Sequence, residues 1–107
     1  MEKGVRCVII LKKHFIFSHV EEFLKEHTNY SDDYVCVLGY LTFTLEELLE
    51  IKKTKKLIIY QLEQISNHLY ELNCKWKEML FVADIVLEYD KTNQFLLSSF
   101  GIPATLS

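Results

Sequence analysis

Leu57-Ile58-Ile59-Tyr60 is an apolar run of strand length, and it stops abruptly at Gln61-Leu62-Glu63-Gln64. A run that is apolar throughout suits a strand buried on both faces, and parallel sheets are buried that way. The polar cluster then falls at the carboxyl edge of the sheet, where open α/β folds bind their ligands. The next segment, from about Asn67 to Phe81, carries Leu69, Leu72, Trp76, Met79 and Leu80 at helical spacing.

The rest of the chain repeats this alternation. Val5 to Leu11 reads as a buried strand rich in β-branched residues. Ser18 and Glu21 stand at capping-box spacing before a helix with Val20, Phe23 and Leu24 on one face. Tyr34-Val35-Cys36-Val37-Leu38 is a second strand, and Gly39 to Phe43 is its exit. Thr44 and Glu47 form another capping box, ahead of a stripe of Leu45, Leu48 and Leu49. Leu57 to Tyr60 is the third strand and Ala83 to Tyr89 the fourth. Asp90 or Thr92 can cap a last helix containing Phe95, Leu96 and Phe100, with Gly101 and Pro103 as its stop. The tail from Ile102 onward would lead into another strand in a larger protein. Strict alternation predicts a three-layer, Rossmann-like α/β domain over residues 1–107, built on a four-stranded parallel sheet. A strand order of 2-1-3-4 would place helices on both faces, whereas a sequential order would crowd every crossover onto one.

Composition narrows the function classes. The chain has 107 residues, 50% hydrophobic and 25% charged, which fits one folded domain. A net charge of -3 argues against nucleic acid, whose phosphates require a basic surface. The basic run Lys52-Lys53-Thr54-Lys55-Lys56 falls where a helix ends, so it complements the helix dipole and solvates a loop. Cys7, Cys36 and Cys74 are odd in number and widely spaced, which indicates neither a disulfide framework nor a zinc ribbon. Cys7 and Cys36 sit in apolar runs and read as small core residues. A reducing, cytoplasmic setting follows, and the Asn29-Tyr30-Ser31 sequon is incidental there. Val8-Ile9-Ile10-Leu11 is too short for a signal peptide or a membrane span.

Two blocks in the second half carry a resemblance. Ile58-Ile59-Tyr60-Gln61-Leu62-Glu63-Gln64 is similar to the I-x-Y-x-x-E-Q block in the N-terminal half of GT-B glycosyltransferases of the capsule and surface-polysaccharide type. Those enzymes follow it with a helical Trp, here Trp76, and a D-x-V-x-x-Y-x-x-x-N block, here Asp84 to Asn93. The resemblance implies the acceptor-side half of a sugar-transfer site, incomplete without a second Rossmann-like domain or a partner chain. The first half of the chain matches only as a generic strand-helix-strand pattern. It also departs from the family after the first strand, where Lys12-Lys13-His14-Phe15 has no glycine to admit a phosphate to the backbone.

The candidate residues follow from these placements. Glu63 is the candidate rim carboxylate, with a helix-start carboxylate as its structural alternative. His14, in the first strand-helix loop, is a candidate general base or simply a solvated histidine. Gln64, Glu88, Tyr89 and Asn93 are candidate contacts to sugar hydroxyls, set against local capping and burial of the Tyr89 ring. His19, His27 and His68 form no metal set with His14, and no P-loop or GxGxxG is present, so no cofactor is implied. Trp76 shares a stripe with Leu69 and Met79 and reads as packing. A thin four-stranded sheet would leave an edge or part of a face bare, so a homodimer is expected. Two further readings stay open. One is a non-catalytic α/β interaction module that dimerises. The other is a small flavodoxin-like ligand-binding domain. A receiver domain is disfavoured, because Lys12-Lys13 and Gln61 occupy the places of its acidic residues.

Overall fold

A computed structural model describes residues 7–63 and 75–106. Five parallel strands form one sheet in sequential order: β1 (Ile9–Leu11), β2 (Tyr34–Leu38), β3 (Lys56–Gln61), β4 (Ile85–Glu88) and β5 (Thr105–Leu106). Among the described residues, four α-helices alternate with them: α1 (Ser18–His27), α2 (Leu45–Ile51), α3 (Trp76–Val82) and α4 (Lys91–Ser99). The sheet therefore has five strands and not four. The fifth comes from the tail, where Thr105 and Leu106 pair with Leu87 and Glu88.

Alternation along the strands divides the core in two. Val35, Val37, Leu57, Ile59 and Val86 face one side, where Leu48 of α2, Trp76, Met79 and Leu80 of α3, and Leu97 of α4 cover them. Cys36, Leu38, Ile58, Tyr60 and Leu87 face the other side and pack with Leu24, Val20 and Phe17. Burial on that side pushes the Cys36 thiol pKa up to about 12, so it is an inert core group. Trp76 meets Phe100 edge-on at 6.0 Å, which confirms it as packing.

A sequential order was expected to crowd the crossovers onto one face, and α1 breaks that expectation. β1 to β2 and β2 to β3 step the same way across the sheet, yet α1 and α2 lie on opposite faces. Parallel crossovers on opposite faces with the same step have opposite hands. Since α2, α3 and α4 share a face, the β1-α1-β2 unit differs from them, and its hand is opposite to that of β2-α2-β3. One consequence is bare surface on β1. Ile9 and Leu11 point to the α2 side and are each 37% exposed.

Local chemistry explains the element ends. Thr44 caps α2 in a complete capping box: the Glu47 amide donates to its hydroxyl at 3.0 Å, and the Thr44 amide donates to the Glu47 carboxylate at 2.8 Å. Asp90 caps α4 by accepting from the Thr92 and Asn93 amides. Gly101, at φ +82°, lets the Ile102 amide turn back to the Leu97 carbonyl at 2.9 Å. The lysines after α2 hold loops together. Lys52 donates to the Val82 carbonyl at 2.7 Å, and Lys55 to the Asp32 carbonyl at 2.8 Å.

Several sequence expectations are corrected. Ser18 is the first residue of α1 and not its cap, because a 3-10 turn over Phe15–Phe17 feeds the chain straight into the helix. Glu21 instead binds Lys12 at 2.7 Å and Lys25 at 3.3 Å. Phe23, Leu49 and Phe95 lie on exposed sides of their helices, and Phe23 stacks on His27. Cys7 is exposed and not a core residue. Strands β1 and β4 are shorter than their apolar runs, Ile9–Leu11 and Ile85–Glu88. Val5, Arg6, His68, Leu69, Leu72 and Cys74 lie outside the described residues.

Candidate functional site

The carboxyl rim of the sheet gathers the exits of all the strands, and its best-built part joins β3 to β4. Gln61 and Glu88 are register partners on adjacent strands. Both are completely buried, as is Asn93 in the first turns of α4. Buried polar groups must be hydrogen-bonded to one another to be tolerated, and here they are. The Gln61 side-chain amide donates to Glu88 Oε1 at 3.2 Å. Glu88 Oε2 accepts from the Tyr89 and Asp90 amides, both at 3.1 Å, and from Asn93 Nδ2 at 3.3 Å.

This network closes around the main chain of Glu63. Gln61 Oε1 accepts from the Glu63 amide at 3.0 Å, and Gln61 Nε2 donates to the Glu63 carbonyl at 2.5 Å. Asn93 Nδ2 donates to the same carbonyl at 3.1 Å. The loop leaving β3 is therefore fixed by side chains from two elements, β3 and α4, and the partly exposed Glu63 side chain leaves a backbone bonded at both its amide and its carbonyl. Burial raises the Glu88 carboxyl above the usual carboxylate range, while its bonds from Gln61, Asp90, Asn93 and Tyr89 pull the other way.

The motif residues divide into inward and outward groups. Asp84 works at the opposite, amino edge, where its carboxylate accepts from the Leu57 amide at 2.8 Å and its own amide donates to the Leu57 carbonyl at 2.8 Å. Glu88 and Asn93 face inward and shape the rim, so neither presents a free polar group to a ligand. Tyr89 is 48% exposed beside them, which leaves its ring accessible at the rim and not buried in the core. Gln64 lies outside the described residues. His14 is exposed at the exit of β1. It shares the rim with Glu63 but stands two strand spacings away, roughly 10 Å, and three from Glu88, roughly 14 Å. The structure thus brings Glu63, Glu88 and Asn93 together and leaves His14 apart.

Sequence reasoning missed Gln61 as a rim-shaping residue. The signal was available: it is the one polar side chain on the α2 side of an otherwise apolar β3, in register with Glu88.

A second part of the rim lies between β1 and β2. Here α1 and α2 leave adjacent strands for opposite faces, and their exit loops pack against each other across the strand ends. The Phe17 ring lies against Gly39, whose φ is +70° and where an added Cβ would sit 2.5 Å from that ring. Lys13 reaches across to Glu47 at 2.9 Å and lies 4.6 Å from the Phe43 ring centre.

Among the described residues, no group of three or more His, Cys, Asp or Glu could hold a metal ion, and no helix is long and apolar enough to cross a membrane. No protein-family model matches the chain, and neither the curated proteins nor the solved structures contain a significant match.

Proposed function

We propose that this chain is the acceptor-side half of a glycosyl-transfer site. In this reading the Glu63 carboxylate meets an acceptor hydroxyl at the carboxyl rim, and a second Rossmann-like domain or partner chain carries the activated sugar. A single observation supports the reading most. The two sequence blocks that carry the glycosyltransferase resemblance pair along β3 and β4, and Asn93 of the second donates to the Glu63 carbonyl of the first, which fixes the loop displaying Glu63. A rigid backbone under an accessible carboxylate is what positioning of a hydroxyl requires. A carboxylate so placed accepts the hydroxyl's hydrogen bond and, as general base, its proton when the oxygen attacks. Glu88 and Asn93 serve as positioning residues, while Tyr89 offers an aromatic face beside them.

The test is saccharide binding by saturation-transfer NMR with the wild-type chain and Glu63→Ala. Loss of binding with an unchanged unfolding midpoint supports the reading. Equal binding by both proteins removes it.

A second reading, a non-catalytic interaction module, draws on a different observation. The exit loops of β1 and β2 are packed against each other by the chain's own Phe17 and Lys13, and among the described residues no strand pairs with the outer edge of β1. Pairing of that edge with a second copy would give the expected homodimer. Gel filtration at micromolar concentration discriminates: a strict monomer removes the dimer.

A further inference from the structure

We infer that Glu88 is a proton-operated latch on the main chain of Glu63: ionised, it keeps the Gln61 side-chain amide in the orientation that binds that chain, and protonated, it turns the amide over and lets go. This fastening operates whatever Glu63 meets at the rim.

Donors and acceptors in the network can be matched one by one. Each side-chain amide nitrogen carries two protons, and both nitrogens bridge the same two groups. Gln61 Nε2 donates to the Glu63 carbonyl and to Glu88 Oε1. Asn93 Nδ2 donates to the Glu63 carbonyl and to Glu88 Oε2. The Glu63 amide donates to Gln61 Oε1, which fixes which way round the Gln61 amide lies. Glu88 therefore meets donors only, and that suits an ionised carboxylate.

A proton on this carboxyl group has one place to go. At Oε2 it would face three donors, two of them main-chain amides that cannot turn. At Oε1 it faces only Gln61 Nε2, on a side chain that can turn about its last bond. The Glu88 hydroxyl then donates to Gln61 Oε1. The same turn sets Gln61 Nε2 against the Glu63 N–H, donor to donor, and Gln61 Oε1 against the Glu63 carbonyl, acceptor to acceptor. Both Gln61 bonds to the loop are lost, which leaves the Asn93 bond to the Glu63 carbonyl.

Among the described residues Glu88 forms no ion pair. The ionisable side chains on the elements around it are Glu63 past β3, Tyr40 past β2 in the core on that side, and Tyr89, Asp90 and Lys91 where α4 begins. Thr105 and Leu106 of β5 bring none. Burial favours the neutral carboxyl and the four hydrogen bonds favour the charged one, so the two states compete within reach of pH.

The experiment is NMR of the full chain titrated from pH 8 to 4, following the Glu88 carboxyl carbon, the Gln61 side-chain NH2 and the Glu63 amide. All three are expected to move with one shared midpoint, above the ordinary carboxylate value. Hydrogen-exchange protection of the Glu63 amide should be roughly two- to tenfold lower on the acid side, the weight of one hydrogen bond. Glu63→Gln, Asp90→Asn and His68→Gln should each keep the transition. Glu88→Gln carries an NH2 where the proton would sit, so its Glu63 amide should show the acid-side protection at every pH. A Glu88 carboxyl that does not titrate in this range, or titrates while the Glu63 amide stays in place, overturns the inference without any variant having to fold. So does a transition lost in one of the three control variants, or a Glu88→Gln protein with the Glu63 protection of the ionised wild type.

Discussion

Asn93 and Glu63 are thirty residues apart in sequence and meet at 3.1 Å, side-chain amide to main-chain carbonyl. The contact does not involve the Glu63 carboxylate, although the same amide nitrogen also donates to Glu88 Oε2 at 3.3 Å. It nevertheless decides where the Glu63 side chain begins.

Replacing Asn93 with Leu keeps the branched shape but removes the donor shared by Glu63 and Glu88. Two acceptors, one buried and one part-buried, then lose a partner. The expected loss is about 1–3 kcal/mol of unfolding free energy, read from the urea midpoint, and any saccharide affinity should fall with it. Glu63→Ala, in contrast, leaves every main-chain bond of the network in place and should change stability by under ~0.5 kcal/mol.

The raised Glu88 carboxyl predicts an unusual pH dependence. Its proton is held more tightly in the folded chain than in the unfolded one. Between the ordinary carboxylate value and the raised folded value the native state therefore carries more protons, so this group makes stability fall as pH rises through that window. Glu21 and Glu47 act oppositely. Hydrogen bonds from Lys12 and Lys13, respectively, lead in lowering them, so the stability they add is present above the ordinary carboxylate value and lost as pH falls through their folded values. Glu88→Gln should remove the decline on the high-pH side and leave the acid limb unchanged. Urea midpoints measured from pH 3 to 8 for both proteins check this.

Gly39 couples a backbone constraint to a steric one. Gly39→Ala places a side chain at φ +70° and drives its Cβ into the Phe17 ring. The left-handed conformation alone costs about 1 kcal/mol, and the clash adds to it. Combining Gly39→Ala with Phe17→Leu should recover the steric part and leave the backbone part, so the double variant should be more stable than additivity predicts. Thermal and urea unfolding of the four proteins give the cycle.

Thr44 and Lys13 both bind Glu47, but with different weight. Thr44→Ala removes a helix cap and should cost about 1 kcal/mol. Lys13→Ala removes an ion pair open to solvent and should change the urea midpoint little, because exposed pairs are screened and entropically costly.

The alternation of elements was legible because parallel strands buried on both faces leave apolar runs, as at Val35–Leu38 and Leu57–Tyr60. The caps at Thr44 and Asp90 were legible because their chemistry is local. The fifth strand was not, since Thr105 and Leu106 have no periodicity of their own and are ordered by pairing with β4. The face chosen by α1 was not legible either. Its apolar residues fit either side of a sheet. At the rim, Glu63, Glu88 and Asn93 were each picked out as potential ligand contacts. The sequence could not reveal that two of them turn inward, because a strand's polar end looks the same whether it meets solvent or a neighbouring amide.

The Asp84–Leu57 bracket at one edge and the Gln61–Glu88 pair at the other fasten β3 to β4 at both ends. Equal lengths of chain run between the two fastenings, so the pair behaves as a matched ruler. Inserting or deleting one residue in either strand would unfasten an end and swing the polar tip to the wrong side. This stretch should therefore tolerate exchange of its apolar residues far better than any change in its length.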